Sequence, residues 1–330
     1  MPQLSLRNPL LTPEQIAASP SQRQGMAPEL EADLRAYGCH LIQSAGVVLR
    51  LPQLVMASAQ VLFQRFYYLS PFQEFPLRGI VLGSLFLASK VEENPQTIRN
   101  IINVFDIIVK RDRKLPEEVA DGYNAEFYDM KNEMVIAEIQ ILRRLGFNVQ
   151  VELPYGLLVN YLRSLELTEV PRVPQLAWNY LNDLLRTPAY VCFQPETIAC
   201  GAIYLAAKVC NVPLPMSPPW WTVFDANQED VAMVASAAQA LCRRGLPRIM
   251  PLTEDELEMH VSGTLADHIE SARKDAWAAY NAEAGQTATE EDVQPSLQTL
   301  QDGRSSHQDQ RRRHKNSSRH ERGGYSPQGQ

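Results

Sequence analysis

The sequence predicts an all-α protein made of two diverged copies of one helical box. Three observations carry that expectation. Apolar residues recur at steps of three and four through most of residues 31–146, the spacing of a buried helix face. No convincing run of alternating strand residues occurs; Phe147–Leu153 alternates, but it is short, isolated and closed by Pro154, and reads as an extended connector. A core segment also repeats: Leu87-Ala88-Ser89-Lys90-Val91 returns as Leu205-Ala206-Ala207-Lys208-Val209, an offset of 118 residues. With 330 residues, two domains can each bury a core.

Residues 1–27, rich in Pro, Ser and Gln, read as a disordered N-terminal extension with one short helical turn after Thr12-Pro13-Glu14, since Pro is accepted at a first helical position. The first box is expected over residues 28–148. Its first helix buries Leu34, Gly38, Leu41, Ile42, Ala45 and Leu49, and Pro52 opens a second with Val55, Ala59, Leu62, Phe63 and Phe66 inward. After Ser70-Pro71, the segment around Ile80, Val81, Ser84, Leu85 and Ala88 is apolar on nearly every side, the mark of a central helix. Asn94-Pro95 restarts the chain into Ile98, Ile101, Ile102 and Phe105, and residues 106–123 read as a loop. A fifth helix carries Phe127, Met130, Met134, Ala137, Ile141 and Leu145, capped by Gly146.

The second box is expected over residues 155–246. With the same offset, Phe63-Gln64-Arg65-Phe66 falls on Leu181-Asn182-Asp183-Leu184 and Ile80–Ala88 on Ile198–Ala206. Pro218-Pro219-Trp220-Trp221 reads as a helix start with its tryptophans as packing anchors. Residues 247–285 form an acidic, helix-prone extension, and residues 286–330 a disordered basic tail. The copies diverge at one end: Lys90-Val91 runs into Glu92-Glu93, Lys208-Val209 into Cys210-Asn211. A shared core with one charged end is what a single partner-binding box would show.

Composition removes several function classes. The five cysteines (Cys39, Cys192, Cys200, Cys210 and Cys242) are odd in number, lie among apolar neighbours and never fall in C-x-x-C spacing, so they read as reduced core thiols, with no metal site and no cofactor. No apolar stretch reaches the ~18 residues of a membrane span, and the first residues do not suggest secretion. Residues 301–330 carry seven Arg or Lys against three acids, so the remaining 300 residues hold a net charge of −11. That acidity argues against direct DNA binding by the folded body. Gly-rich phosphate loops, H-R-D with D-F-G, G-x-S-x-G and H-E-x-x-H are all absent from the sequence, which argues against an enzyme.

The chain resembles the cyclin family, and within it the L type. The segments that carry the resemblance are Cys39-His40-Leu41-Ile42-Gln43, Leu49-Arg50-Leu51-Pro52-Gln53, Val61-Leu62-Phe63-Gln64-Arg65-Phe66, Leu87-Ala88-Ser89-Lys90-Val91-Glu92-Glu93, Ile101-Ile102-Asn103-Val104-Phe105, Trp178-Asn179-Tyr180 and Phe193-Gln194-Pro195-Glu196. It covers about Leu10 to Leu246. The resemblance implies two tandem five-helix cyclin boxes, a cyclin-dependent kinase as partner, and a nuclear role in RNA polymerase II transcription and pre-mRNA splicing. It also implies that Lys90 and Glu138 contact the kinase; Glu92 and Glu93 are read as orienting Lys90, capping neighbouring amides, or touching the kinase themselves.

Departures from the family narrow this. The first-helix substrate-docking patch reads Leu34-Arg35-Ala36-Tyr37-Gly38, and Gly38 removes a large apolar contact. Gln64 stands where an aspartate often partners the arginine, so Arg35 is expected to find a local partner. The tail, with Arg311-Arg312-Arg313-His314-Lys315, has few Arg-Ser dipeptides; it fits a nuclear-import signal, a contact to RNA or to splicing or transcription factors, or a solubilising tail. The alternative reading is a cyclin-fold general transcription factor that binds polymerase or DNA without activating a kinase.

Overall fold

The computed structural model describes residues 7–115 and 125–244. The expected acidic extension and basic tail lie outside the described residues. Secondary structure among the described residues is helical, apart from one isolated bridge between Met216 and Pro219. Two short helices, α1 (Pro13–Ala17) and α2 (Pro20–Arg23), precede the first box. That box contains α3 (Pro28–Val48), α4 (Gln53–Tyr67), α5 (Leu77–Val91), α6 (Ile98–Asp112) and α7 (Ala125–Arg144).

Helix ends follow local chemistry. α3 starts with Pro28 in its first turn and Glu29 and Glu31 beside its positive end. Pro52 and Pro76 stand directly before α4 and α5. Thr97 caps α6, its hydroxyl accepting from the Asn100 amide at 3.3 Å. α7 closes where Gly146, at φ +58°, lets the Phe147 amide reach the Leu142 carbonyl at 2.8 Å. α5 is central: Ile80, Val81, Leu82, Leu85, Leu87 and Ala88 are buried, and α3, α4, α6 and α7 pack around it. The expected loop at 106–123 begins later than its charges suggest. Ile101, Ile102, Phe105 and Ile108 keep one apolar face buried through residue 108, and Lys110 pairs with Asp106 one turn back at 2.6 Å. Residues 106–112 are therefore helix.

The second box contains α8 (Tyr155–Ser164), α9 (Val173–Leu184), the single turn α10 (Ala189–Cys192), α11 (Pro195–Val209), a 3-10 turn (Trp220–Phe224) and α12 (Gln228–Arg244). α11 begins and ends at the same 118-residue offset from α5, so the repeat extends from residues to helix boundaries. The expected helix at Pro218-Pro219-Trp220-Trp221 is only this 3-10 turn. Pro215, Pro218 and Pro219 supply no amide donors, and Asp225 turns left-handed at φ +53° to end it. Trp220 is nonetheless buried in the second core.

The two cores share a wall. Ala57 and Val61 of α4 are buried in the second core, while Leu62, Phe63 and Phe66 of the same helix face the first. An amide chain reinforces the junction: Gln60 donates to Gln43 at 2.9 Å, Gln43 to Gln53 at 3.0 Å, and Gln53 to Asn182 at 3.2 Å. Tyr155 also donates to Asn182, at 2.8 Å, so no member of the chain is left without a partner.

The N-terminal extension departs from the expectation of disorder in its residues 7–27. The expected turn is present as α1, with Thr12 and Gln15 forming a reciprocal capping box. Around it the segment acts as a strap across both boxes. The Asn8 side chain accepts from Arg65 and from the Glu152 amide, each at 2.9 Å, and donates to the Glu152 carbonyl at 2.8 Å. Leu11 donates from its amide to Val191 of the second box at 2.9 Å. Farther on, Ser19 and Gln22 donate to Glu31 of α3 at 2.6 and 2.9 Å. Glu31 in turn holds Arg35 through Nε at 2.9 Å, and both residues are buried. Arg35 thus finds its local partner one turn back on α3. A composition poor in apolar residues hid this segment because its order rests on side-chain hydrogen bonds.

Candidate functional site

The charged end of the first box is set by how closely two helices cross. Gly83 of α5 lies against α7: a Cβ placed there would sit 2.8 Å from Ala137 Cβ and 3.0 Å from the Glu138 amide nitrogen. No larger residue permits that approach. Either side of the crossing an ion pair ties α5 to α7. Arg78 donates from Nε to Glu133 at 2.9 Å, and Lys90 pairs with the Glu138 carboxylate. The Lys90 ammonium also lies 4.1 Å from the centre of the Phe86 ring, one turn back on α5.

The four residues singled out from the sequence fall into three environments. Lys90 and Glu138 are brought together, with the lysine side chain 42% exposed and the glutamate 13%. Glu92 turns inward, its Oε1 accepting from the buried Ser58 hydroxyl of α4 at 2.6 Å. Glu93 points to solvent from a left-handed backbone at φ +53°, which lets the Asn94 amide close the α5 terminus on the Ser89 carbonyl at 2.8 Å. A non-glycine residue there costs on the order of 1 kcal/mol. Ile139, next to Glu138, is half exposed. Phe86, Ser58 and Gly83 escaped the sequence reading. Phe86 was in principle legible, since it precedes Lys90 by one helical turn, whereas Ser58 and Gly83 act through tertiary contacts that no local pattern announces.

A partly exposed ion pair of this kind contributes roughly 0.2–1 kcal/mol. Both groups can therefore exchange partners at little cost. Lys90 is a donor of three hydrogens and Glu138 an acceptor, so the pair offers both hydrogen-bonding signs on one surface.

A family model described as the cyclin N-terminal domain matches residues 10–150. Human cyclin-L2 is 42% identical over 229 residues, covering 69% of this chain and 44% of that protein. Zebrafish (Danio rerio) cyclin-L1 is 41% identical over 244 residues, covering 74% of this chain and 49% of that protein. The chain belongs to the cyclin family. This cyclin spans less than half the length of those relatives. Its fold is similar to a chain in the crystal structure of the yeast RNA Pol II CTD kinase CTDK-1 complex, with a TM-score of 0.59 at 16% identity, covering 77% of this chain and 82% of that one. It is also similar to a chain of the CAK complex from Chaetomium thermophilum bound to ATP-γ-S, with a TM-score of 0.54 at 19% identity, covering 76% and 80%.

The second box of this cyclin repeats the scaffold of the site and its lysine but lacks the carboxylate partner. Gly201, at the offset of Gly83, lies against Val234 of α12, and a Cβ there would meet Val234 Cγ1 at 2.4 Å. Lys208 stands where Lys90 stands, with Tyr204 replacing Phe86 at a looser 5.8 Å. Asn211 takes the left-handed position of Glu93, a conformation that Asn tolerates better. Among the described residues, Lys208 has no carboxylate partner. On α12 the residue following Val234 is the buried Ala235, where α7 carries Glu138 after Ala137.

Proposed function

We propose that this cyclin is the regulatory subunit of a cyclin-dependent protein kinase and activates it through the first box. The observation that carries the reading is the partly exposed Lys90–Glu138 pair at the α5–α7 crossing, present in the first box and missing from the second. A protein kinase is active when a helix of its small lobe swings inward and a glutamate on it pairs with the catalytic lysine. Lys90 would release Glu138 and donate to carbonyl groups at the end of that helix, while Glu138 accepts from nearby backbone amides. Bonds to charged groups are shorter and stronger than neutral ones. Phe86 and Ile139 would add apolar area beside them, and the inward arrangement gains population because only it fits the pair. The L-type similarity supports a nuclear role in RNA polymerase II transcription and pre-mRNA splicing.

The test is a charge swap, Lys90→Glu with Glu138→Lys. It keeps the ion pair that ties α5 to α7 but presents each charge to the kinase with the wrong sign. The doubly substituted full chain should keep its helical circular dichroism and melting temperature and lose kinase activation. Affinity purification of the tagged wild-type chain supplies the kinase for the assay. Normal activation by the swapped protein would mean that the kinase is gripped elsewhere.

A further inference from the structure

We infer that Ser19 is a phosphorylation site whose modification lifts the N-terminal strap from the first box. The inference stands on the strap's own geometry and is independent of the kinase-binding reading. Ser19 precedes Pro20, so the dipeptide has the form that a proline-directed kinase takes. Its hydroxyl donates its one hydrogen to a carboxylate, Glu31 Oε2 at 2.6 Å, while accepting from the Gln22 amide at 3.2 Å, and Ser19, Glu31 and Arg35 are each under 5% exposed. The charges in that cluster are balanced, one carboxylate against one guanidinium. Arg35 is also already engaged with Glu31, the Gln64 side chain at 3.2 Å and the Tyr67 carbonyl at 2.9 Å.

The strap is built to open locally. It is fastened at two separate places: Asn8 and Leu11 on Arg65 of α4, the linker and the second box, and Ser19 to Met26 on the first. Between them, α1 has no buried residue, and Ile16 is half exposed. At the far side Gly25, at φ +92° with no neighbouring atom near its Cβ direction, provides a permissive pivot. Residues 12–25 can therefore swing out while Asn8 stays anchored, and a hydroxyl buried in the closed form meets a modifying enzyme in the open one.

In the modification, Ser19 Oγ forms a bond to the γ-phosphorus of a nucleoside triphosphate. The bond from that phosphorus to the bridging oxygen breaks, the diphosphate leaves, and the hydroxyl proton passes to a base of the modifying kinase. The product carries ≈ −1.5 to −2 charges and has lost its donor hydrogen. Reclosing would press it against the Glu31 carboxylate in a site closed to water. The open form then persists, and the α3 face around Glu31 and Arg35 becomes available.

The test has two arms on the full chain. Incubation with a purified proline-directed kinase and MgATP should place phosphate on Ser19, read by peptide mapping; phosphate elsewhere but never on Ser19 would overturn the inference. Chain bearing phosphoserine at 19 should then exchange the Arg23, Gln24, Gly25 and Met26 amides at least about tenfold faster than wild type, with α4 unchanged. Ser19→Ala, which lacks both hydroxyl and phosphate, should raise those rates far less. Wild-type exchange in the phosphorylated chain, with the phosphate accommodated against Arg35, would also overturn it.

Discussion

Replacing Gly83 with alanine tests the geometry on which the charged pair depends. The added methyl would stand 2.8 Å from Ala137 Cβ and 3.0 Å from the Glu138 nitrogen. Carbon contacts are comfortable from about 3.5 Å, so α7 has to retreat locally by roughly 0.5–1 Å. Two effects oppose each other. Alanine gains about 1 kcal/mol over glycine in a helix interior, while overpacking a core costs about 1–3 kcal/mol. Two of the atoms in the way belong to backbone, which cannot rotate aside as a side chain would, so the upper part of that range applies. The net loss is about 1–2 kcal/mol, a fall in melting temperature of about 2–8 °C for a folded body of this size. The Glu138 backbone is itself what moves, so on the proposed function activation of the kinase should fall at temperatures where the variant is still folded. Gly201→Ala is the matched control. It too should melt early, because Val234 Cγ1 would stand 2.4 Å from its methyl, yet leave activation intact. Circular dichroism melts and a kinase titration on the three proteins decide the matter. A Gly83→Ala chain at least as stable as wild type, with full activation, would refute the close crossing.

Glu31→Ala should be among the most damaging single changes in the first box. It strands the buried Arg35 guanidinium and removes the acceptor of Ser19 and Gln22, and breaking a buried pair from one side costs about 3–5 kcal/mol. A denaturant melt measures it; a loss under 1 kcal/mol would contradict the buried pair. The thiols should differ sharply toward iodoacetamide at pH 8. Burial pushes Cys39 and Cys200 up to about 12 and Cys192 to about 11, leaving them neutral and unreactive in the folded chain, whereas the exposed Cys242 should label within minutes. Mass mapping that finds Cys39 labelled as fast as Cys242 would show that the first core is not closed.

The helices of the first box were legible because a single physical signal, apolar residues at helical spacing, fixes them. Lys90 and Glu138 could be named through family resemblance, but their pairing depends on Gly83, whose role is visible only once α7 is in place. The signal failed in two instructive places. At residues 106–112 a charged surface masked a helix whose inward face still carries Ile108. In residues 7–27 order comes from Asn8, Ser19 and Gln22 bonding to distant partners, and such bonds leave no periodic trace. The 3-10 turn at Trp220 was missed for the opposite reason: the tryptophans advertised burial, but the prolines before them set the backbone.

The placement of Ala57 and Val61 bears on how the molecule comes apart. Because one helix lends opposite sides to two hydrophobic interiors, neither half owns a complete set of walls. Cutting the gene at the repeat boundary would leave the C-terminal fragment with an open apolar flank, prone to aggregate, even though duplication of sequence suggests a clean division. Heat should accordingly dismantle both halves in one cooperative step.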